Sequence, residues 1–376
     1  MSALAYLDHN ATSPLRPAAF DAVVEALRAG GNPSSVHGAG RKARAIVDKA
    51  RREVASLVGA SITGTIFTSG GTEANNLALA GAGRRRVLVS AIEHDSVRRA
   101  VPQAELLRVD GDGVLDLAAL ERALAASAEP ALVSVMLANN ETGVLQPIAE
   151  VVRLARAAGA LVHCDAVQGV GKVPVDFRSL GVDYLSLSAH KLGGPTGAGA
   201  LIVRNGAPLQ PDRRGGGQES NRRAGTENVP GIAGFGAAAG EAATGLDVAA
   251  LRDRIEFSLV QIAANAKVYG VKVPRVGNTT CISMPGVPAE TQVMALDLAG
   301  VCISAGAACS SGKVQRSPVL EAMGVPAAEA ACATRISLGW NTQAADIERL
   351  IAAWQSLYIR VSQSDISHTD SRARAA

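Results

Sequence analysis

Aromatic residues are scarce, at 3% of a 376-residue chain, and no stacking platform for nucleic-acid bases is available. Five cysteines are present, an odd number without a CxxC pair, which excludes a disulfide framework and a cysteine zinc site. HExxH is also missing. No apolar run approaches the length of a membrane span, and the opening MSALAYLDHN lacks the basic and apolar regions of a secretory signal. Charge is nearly balanced, with 37 Lys and Arg against 34 Asp and Glu, a formal +3, so no polyanionic partner is expected. These absences predict a cytoplasmic protein with reduced thiols, no resident metal, and neither a nucleic-acid nor a membrane partner.

What is present is an alternation. Short β-rich runs (TIFTSGG from residue 65, VLVSAIEH from 87, ALVSVMLANN from 131, ALVHCDAV from 160, DYLSLSAH from 183, GALIV from 199) are interleaved with amphipathic stretches. That pattern predicts a large α/β domain over 16–245, with a mainly parallel central sheet flanked by helices. After the polar, glycine-rich GGGQESNRRAGTENVPG, helical LRDRIEFSLVQIAANA opens a second set of short elements. A smaller α/β domain is therefore expected over 246–360, together with 1–15. The tail 361–376 has no apolar period and is expected to be disordered.

Three polar groups stand at predicted strand ends, where sheets of this kind place ligands. In FTSGGTEANNLAL a glycine turn leads into a helix with Gly71 and Thr72 at its start. Free N–H groups and the Thr72 hydroxyl there make either a phosphate cup or an ordinary helix cap. It is neither a Walker A loop nor GxGxxG, which weighs against nucleotide hydrolysis and dinucleotide binding. Asp165 closes the apolar strand of HCDAVQ, a costly place for a carboxylate unless it meets a cation such as a pyridinium nitrogen. Lys191, in LSLSAHKLGGPTGAG, is an amine behind a strand end among small residues. Together the three make the set that pyridoxal phosphate requires: an amine to hold it covalently, a carboxylate for its ring nitrogen and an anion site for its phosphate.

The cysteines divide four against one. Cys164, Cys281, Cys302 and Cys332 lie in or beside apolar stretches, where a thiol acts as a small hydrophobe. Cys309 sits in SAGAACSSGKVQR, among small turn-forming residues with Lys313 and Arg316 following, and reads either as a reactive thiol or as an incidental loop cysteine.

From YLDHNATSPL to RISLGWNT the chain resembles the cysteine desulfurases of the NifS/IscS-like family, pyridoxal phosphate enzymes of the aminotransferase class V group. NPSSVHGAGRKAR, TSGGTEANNLAL, EHDSV, NNETGVLQPI, DAVQGVGKVPVD, SAHKLGGPTGAGAL, GGGQESNRRAGTENVPGI and SAGAACSSG carry the resemblance, in order and spacing. It implies the aminotransferase-like fold (fold type I) and further roles. His94 would stack on the pyridine ring, Gln168 would bond its phenolic oxygen, and Ser188 and His190 would join Thr72 at the phosphate. Thr226 would reach the phosphate of a neighbouring subunit in a homodimer. Arg335, with Asn140 beside it, would hold the substrate carboxylate, and Cys309 would take sulfur from L-cysteine as a persulfide, leaving L-alanine.

An iron–sulfur scaffold or another sulfur acceptor is the implied partner, with Cys309 a transient cluster ligand at most. A selenocysteine lyase or another aminotransferase-fold enzyme is the alternative. SAGAACSSG departs from the commoner Ser-Ser-Gly-Ser-Ala-Cys-Thr form, Pro318 replaces a frequent His or Tyr, and the polar tail does not resemble a scaffold-docking tail.

Overall fold

Strands buried on both faces read as unbroken apolar runs, and the six runs singled out above all become strands. The computed structural model describes residues 4–306 and 316–373, with side chains through 362. In chain order the strands are β1 (Ala5–Tyr6), β2 (Thr65–Thr68), β3 (Arg86–Ser90), β4 (Glu105–Leu107), β5 (Ala131–Ser134), β6 (Leu161–Asp165), β7 (Tyr184–Ser188), β8 (Gly199–Val203), β9 (Thr279–Ser283), β10 (Val301–Cys302) and β11 (Ala333–Ser337). Two compact units result: Thr12–Asn140 with Val144–Leu246, and Met1–Ala11 with Glu141–Gly143 and Asp247–Ala376. The chain thus lends Glu141–Gly143, from the middle of the larger unit's sequence, to the smaller one.

The larger unit holds one seven-stranded sheet in the order β2-β8-β7-β6-β5-β3-β4. β4, β3, β5, β6 and β7 run parallel, and β8 is antiparallel to both of its neighbours. Because β2 and β7 both oppose β8, all the strands except β8 end at the same edge. Ligands of such sheets collect at that edge.

On one face, the helices Pro17–Ala29, Gly38–Leu57 and Val229–Ala242 bury Val47, Ala50, Val54, Ile232 and Phe235 with the inner faces of the strands. Close approach there needs glycine: a Cβ on Gly236 would stand 2.6 Å from Ala50 Cα. On the other face, the helix Gly71–Gly81 turns Ala74, Leu77 and Ala78 onto Ile66, Val89, Leu132 and Leu201.

The smaller unit has two two-stranded sheets, parallel β1-β10 and antiparallel β9-β11. Its last helix, Ala344–Ala373, continues into the segment whose polarity predicts disorder. Extending an existing helix needs no new nucleus, and 361–373 contains neither proline nor glycine to stop it. No helix among the described residues is long and apolar enough to cross a membrane.

Candidate active site

Register brings separate motifs together at the strand-end edge of the larger unit. Gly199 on β8 pairs with Thr68 on one side and Ser188 on the other. A Cβ on Gly199 would lie 2.6 Å from the Gly70 backbone and 2.8 Å from Leu187 O, so glycine is required there. The turn at Gly70 therefore starts the helix of Gly71 and Thr72 directly against Ser188. A Cβ on Gly71 would meet Val167 Cγ2 at 2.9 Å and Ser188 Cβ at 3.4 Å. Thr72 is exposed at that helix start, with its carbonyl bonded by Asn76 Nδ2 at 2.7 Å.

Past Ser188 the chain makes one 3-10 turn, Ala189–Lys191, carrying His190 and Lys191. His190 Nδ1 lies 3.2 Å from Thr12 Oγ1. Burial, together with the Lys191 charge, lowers the His190 pKa to about 4, so its imidazole is neutral near pH 7.

Asp165 ends β6 in a buried position. Its Oδ1 accepts the Val167 N–H at 3.0 Å, and its Oδ2 accepts Asn75 Nδ2 at 2.8 Å. The second Asn75 hydrogen goes to Ser96 Oγ at 2.9 Å, and Ser96 Oγ lies 2.8 Å from His94 Nδ1. Ser96 N–H also donates to that nitrogen, at 3.1 Å, so a neutral His94 carries its proton on Nε2. Asp165, Asn75, Ser96 and His94 are one chain of hydrogen bonds, two members of which the motifs do not reveal. Asn75 was detectable as an amide on the apolar Ala74/Leu77/Ala78 stripe of its helix; Ser96 gives no such signal.

Glu93, next to His94, also escapes the motif reading. It is 3% exposed, Oε1 accepts the Met136 N–H at 2.6 Å, and Oε2 is buried with no partner. Burial and the nearby Asp165 charge push its pKa well above 4.5. Its carboxyl is therefore held toward the protonated form.

The sign of the linkage is fixed. Between pH 4.5 and the native pKa of Glu93 the folded state holds one more proton than the unfolded chain, so Glu93 lowers stability as pH rises. Glu93→Gln keeps the acceptor for Met136 but does not titrate. Its stability relative to wild type is expected to rise above pH 4.5 by up to about 1.4 kcal/mol per unit. Urea unfolding of both apoproteins across pH 4.5 to 8 measures this, and a constant difference would contradict it.

Gln168 is buried and accepts Lys172 Nζ at 2.5 Å on Oε1. Asn140 is half-buried, and Thr226 is exposed. The segment leading to Thr226 is held from within: Glu219, Ser220 and Asn221 have φ of 47°, 58° and 64°, costly for side-chain-bearing residues. Glu219 is fixed by Arg51 at 2.6 and 2.8 Å and by the Phe67 N–H at 3.0 Å. Arg223 and Arg213 grip Glu73 of the Thr72 helix at 2.8 and 2.5 Å. Burial opposes ionisation of Glu73, but these arginines and Ser69 outweigh it and hold its pKa at about 2.

In the smaller unit, Arg335 is buried on β11 and paired with Asp8 at 2.7 Å. Cys309 and Lys313 lie outside the described residues. Cys164 and Cys281 are buried free thiols whose pKa values burial raises, and Cys302 and Cys332 are free and half-buried. Among the described residues, no three His, Cys, Asp or Glu side chains gather as metal ligands.

The aminotransferase class-V family model matches residues 5–350. The chain belongs to this family. A cysteine desulfurase of Cereibacter sphaeroides is 47% identical over 364 residues, 92% of this chain and 93% of its own length. A solved NifS-like protein from Rickettsia africae superposes with a TM-score of 0.87 at 35% identity, over 94% of this chain and 99% of its own. A second solved structure, SspA in complex with cysteine, gives 0.77 at 28% identity, over 89% and 98%.

The fold is that of the pyridoxal phosphate enzymes of fold type I, and pyridoxal phosphate is the cofactor. The residues present fit it. Ser188 Oγ is buried without a protein partner beside the helix start, as a phosphate ligand would be, and Asn75 Oδ1 is buried and unpartnered next to Asp165.

Proposed function

We propose that the chain is a cysteine desulfurase that converts L-cysteine to L-alanine and carries the sulfur away as a persulfide on Cys309. The observation that supports this best is the Asp165–Asn75–Ser96–His94 chain standing at the sheet edge that also bears the unpartnered Ser188 hydroxyl and the turn of Lys191. Its resemblance to a curated cysteine desulfurase directs the reading to sulfur chemistry. Pyridoxal phosphate, when bound, supplies an electron sink for charge developing on the substrate carbons.

The chain's own residues do the rest. Gly71, Thr72, Ser188 and His190 would bind the phosphate, the neutral His190 as a hydrogen-bonding group. Asp165, oriented by Asn75 and Val167, would be the partner of the ring nitrogen. Gln168 would serve the phenolic oxygen, and His94, its orientation set by Ser96, would pack against the ring. Lys191 Nζ would hold the cofactor, and as a free amine it would be the group that moves the α-proton.

Arg335, with Asn140, takes the substrate carboxylate, and Asp8 holds the guanidinium for it. Losing a charge-assisted bidentate contact costs about 2–3 kcal/mol, so Arg335→Ala should lower kcat/KM about a hundredfold. Arg335→Lys should recover little of this, because an ammonium lacks the planar fork. Wild-type kcat/KM in Arg335→Ala would remove the assignment.

The active unit is a homodimer in which Thr226 serves the neighbouring subunit. Thr226 is exposed, and the same unit leaves Phe20, Leu27 and Val36 at 55%, 64% and 89% exposure, apolar area suited to a second copy. The destination of the sulfur is an acceptor for iron–sulfur cluster assembly. The compartment is the cytoplasm, in keeping with four free cysteines among the described residues.

The purified protein given L-cysteine and reductant should release alanine and sulfide in equal amounts. Formation of a keto acid in place of alanine would point to transamination and overturn the reading.

A further inference from the structure

Arg335, read above as the group that takes the substrate carboxylate, already faces a carboxylate of its own chain. Asp8 Oδ1 lies 2.7 Å from Arg335 Nη2, and the two side chains are 18% and 4% exposed. So little exposure leaves little water to screen the pair.

The backbone gives Asp8 little room to withdraw. Its segment enters as β1 beside β10, where the Ala5 N–H donates to Gly300 O and the Leu7 N–H to Cys302 O, both at 2.9 Å. On the other side the Ser337 N–H donates to Leu7 O at 2.8 Å, and the His9 N–H donates to Ser337 O at 3.1 Å. The Asn10 N–H reaches Ser337 Oγ at 2.9 Å. Ser337 stands two residues after Arg335 on β11, and Arg335 itself exchanges both backbone hydrogen bonds with Ser304, at 2.7 and 3.1 Å. The strand that carries the guanidinium and the segment that carries the carboxylate are thus tied to each other. A second acid, Glu141, feels the Arg335 charge, but burial outweighs that charge and its hydrogen bond from Ser317 and raises its pKa. Asp8 is the acid that makes the ion pair.

We propose that Asp8 is a positioning residue whose charge also limits how tightly a carboxylate binds: it fixes Arg335, and it opposes the second carboxylate that must share the guanidinium. This rests on the reading of Arg335 as the substrate-carboxylate group. Two carboxylates on one guanidinium stand close enough to repel, and burial strengthens the repulsion. The opposition acts on any α-carboxylate, so it weakens L-cysteine and the product L-alanine alike. L-alanine therefore leaves more readily than an unopposed arginine would allow.

The test uses the cofactor-loaded protein and reads the concentration giving half the spectral change, for L-cysteine and for cysteamine, which has the same thiol and amine but no carboxylate. Asp8→Asn keeps an oxygen for Arg335 and removes the charge. It should lower the half-saturating L-cysteine concentration roughly fivefold to fiftyfold. At low L-cysteine, the L-alanine concentration that halves turnover should fall by a similar factor. Cysteamine should shift by no more than about twofold, because it brings no charge for Asp8 to oppose. A merely structural role for Asp8 would weaken all three.

Asp8→Ala removes the hold on Arg335 as well as the charge. It should also tighten L-cysteine, by less, and it guards against poor folding of the Asn variant, which the melting temperature reports. L-cysteine binding unchanged or weakened in both variants, or cysteamine tightened as much as L-cysteine, would overturn the proposal. If Arg335→Ala left the half-saturating L-cysteine concentration unchanged, the carboxylate reading of Arg335 would fail instead. Weakened binding in Arg335→Ala beside wild-type binding in both Asp8 variants removes only the opposing role of Asp8.

Discussion

Lys191→Ala is expected to leave the fold in place and abolish turnover of L-cysteine, with a loss of at least about a thousandfold, the upper part of what one positioned proton-transfer group contributes. The side chain leaves β7 by a single 3-10 turn and is half-buried. On the proposed assignment, removing it withdraws the covalent hold on the cofactor and the amine that moves the α-proton. The proposed phosphate ligands Gly71, Thr72, Ser188 and His190 and the proposed ring-nitrogen partner Asp165 are untouched. The variant should therefore still bind pyridoxal phosphate, more weakly, and borohydride should fix none of it to the protein. Borohydride fixation at wild-type occupancy would assign the covalent role to another lysine.

The second large effect is expected at Cys309. Its thiolate is assigned to attack the substrate sulfur. A sulfur–sulfur bond forms, the substrate's carbon–sulfur bond breaks, and the electron pair passes to the carbon, which takes up a proton and leaves as alanine. A serine hydroxyl cannot form that bond. Cys309→Ser should bind the cofactor and show the wild-type spectral change with cysteine, because Asp165, His94, Lys191 and Arg335 remain. It should release no alanine and no sulfide. Loss of the spectral change would place Cys309 in cofactor or substrate binding.

Much of the fold was legible because buried parallel strands leave a simple trace. VLVS, ALVS, LVHCD and YLSLS are short and largely apolar, rich in valine or, in the last, carrying an aromatic, and each became a strand inside the sheet. β4 was not legible. Its sequence, Glu-Leu-Leu, is three residues at the sheet edge with two of them exposed, too little pattern to separate from a loop. The last helix, packed through Leu350, Trp354 and Leu357, runs on to Ala373 through a stretch whose own sequence carries no apolar period.

At the site, the strand-end polar groups could be found because a carboxylate or amine behind an apolar strand is conspicuous. The groups that orient them could not. Asn75 reaches Asp165 from a position 90 residues earlier, and Asp8 reaches Arg335 from 327 residues away. Glu93 and Glu141 look in sequence like ordinary acids within their motifs; only their burial sets them apart.

The most direct test of sulfur transfer through Cys309 is mass spectrometry of the wild-type protein after L-cysteine is added without reductant. One extra sulfur, about 32 Da, is expected on the peptide carrying Cys309. Little is expected on Cys164 and Cys281, where burial holds the thiols protonated, or on the half-buried Cys302 and Cys332. Sulfur found mainly on one of those four, or alanine formed with no sulfur retained on any cysteine, would contradict it.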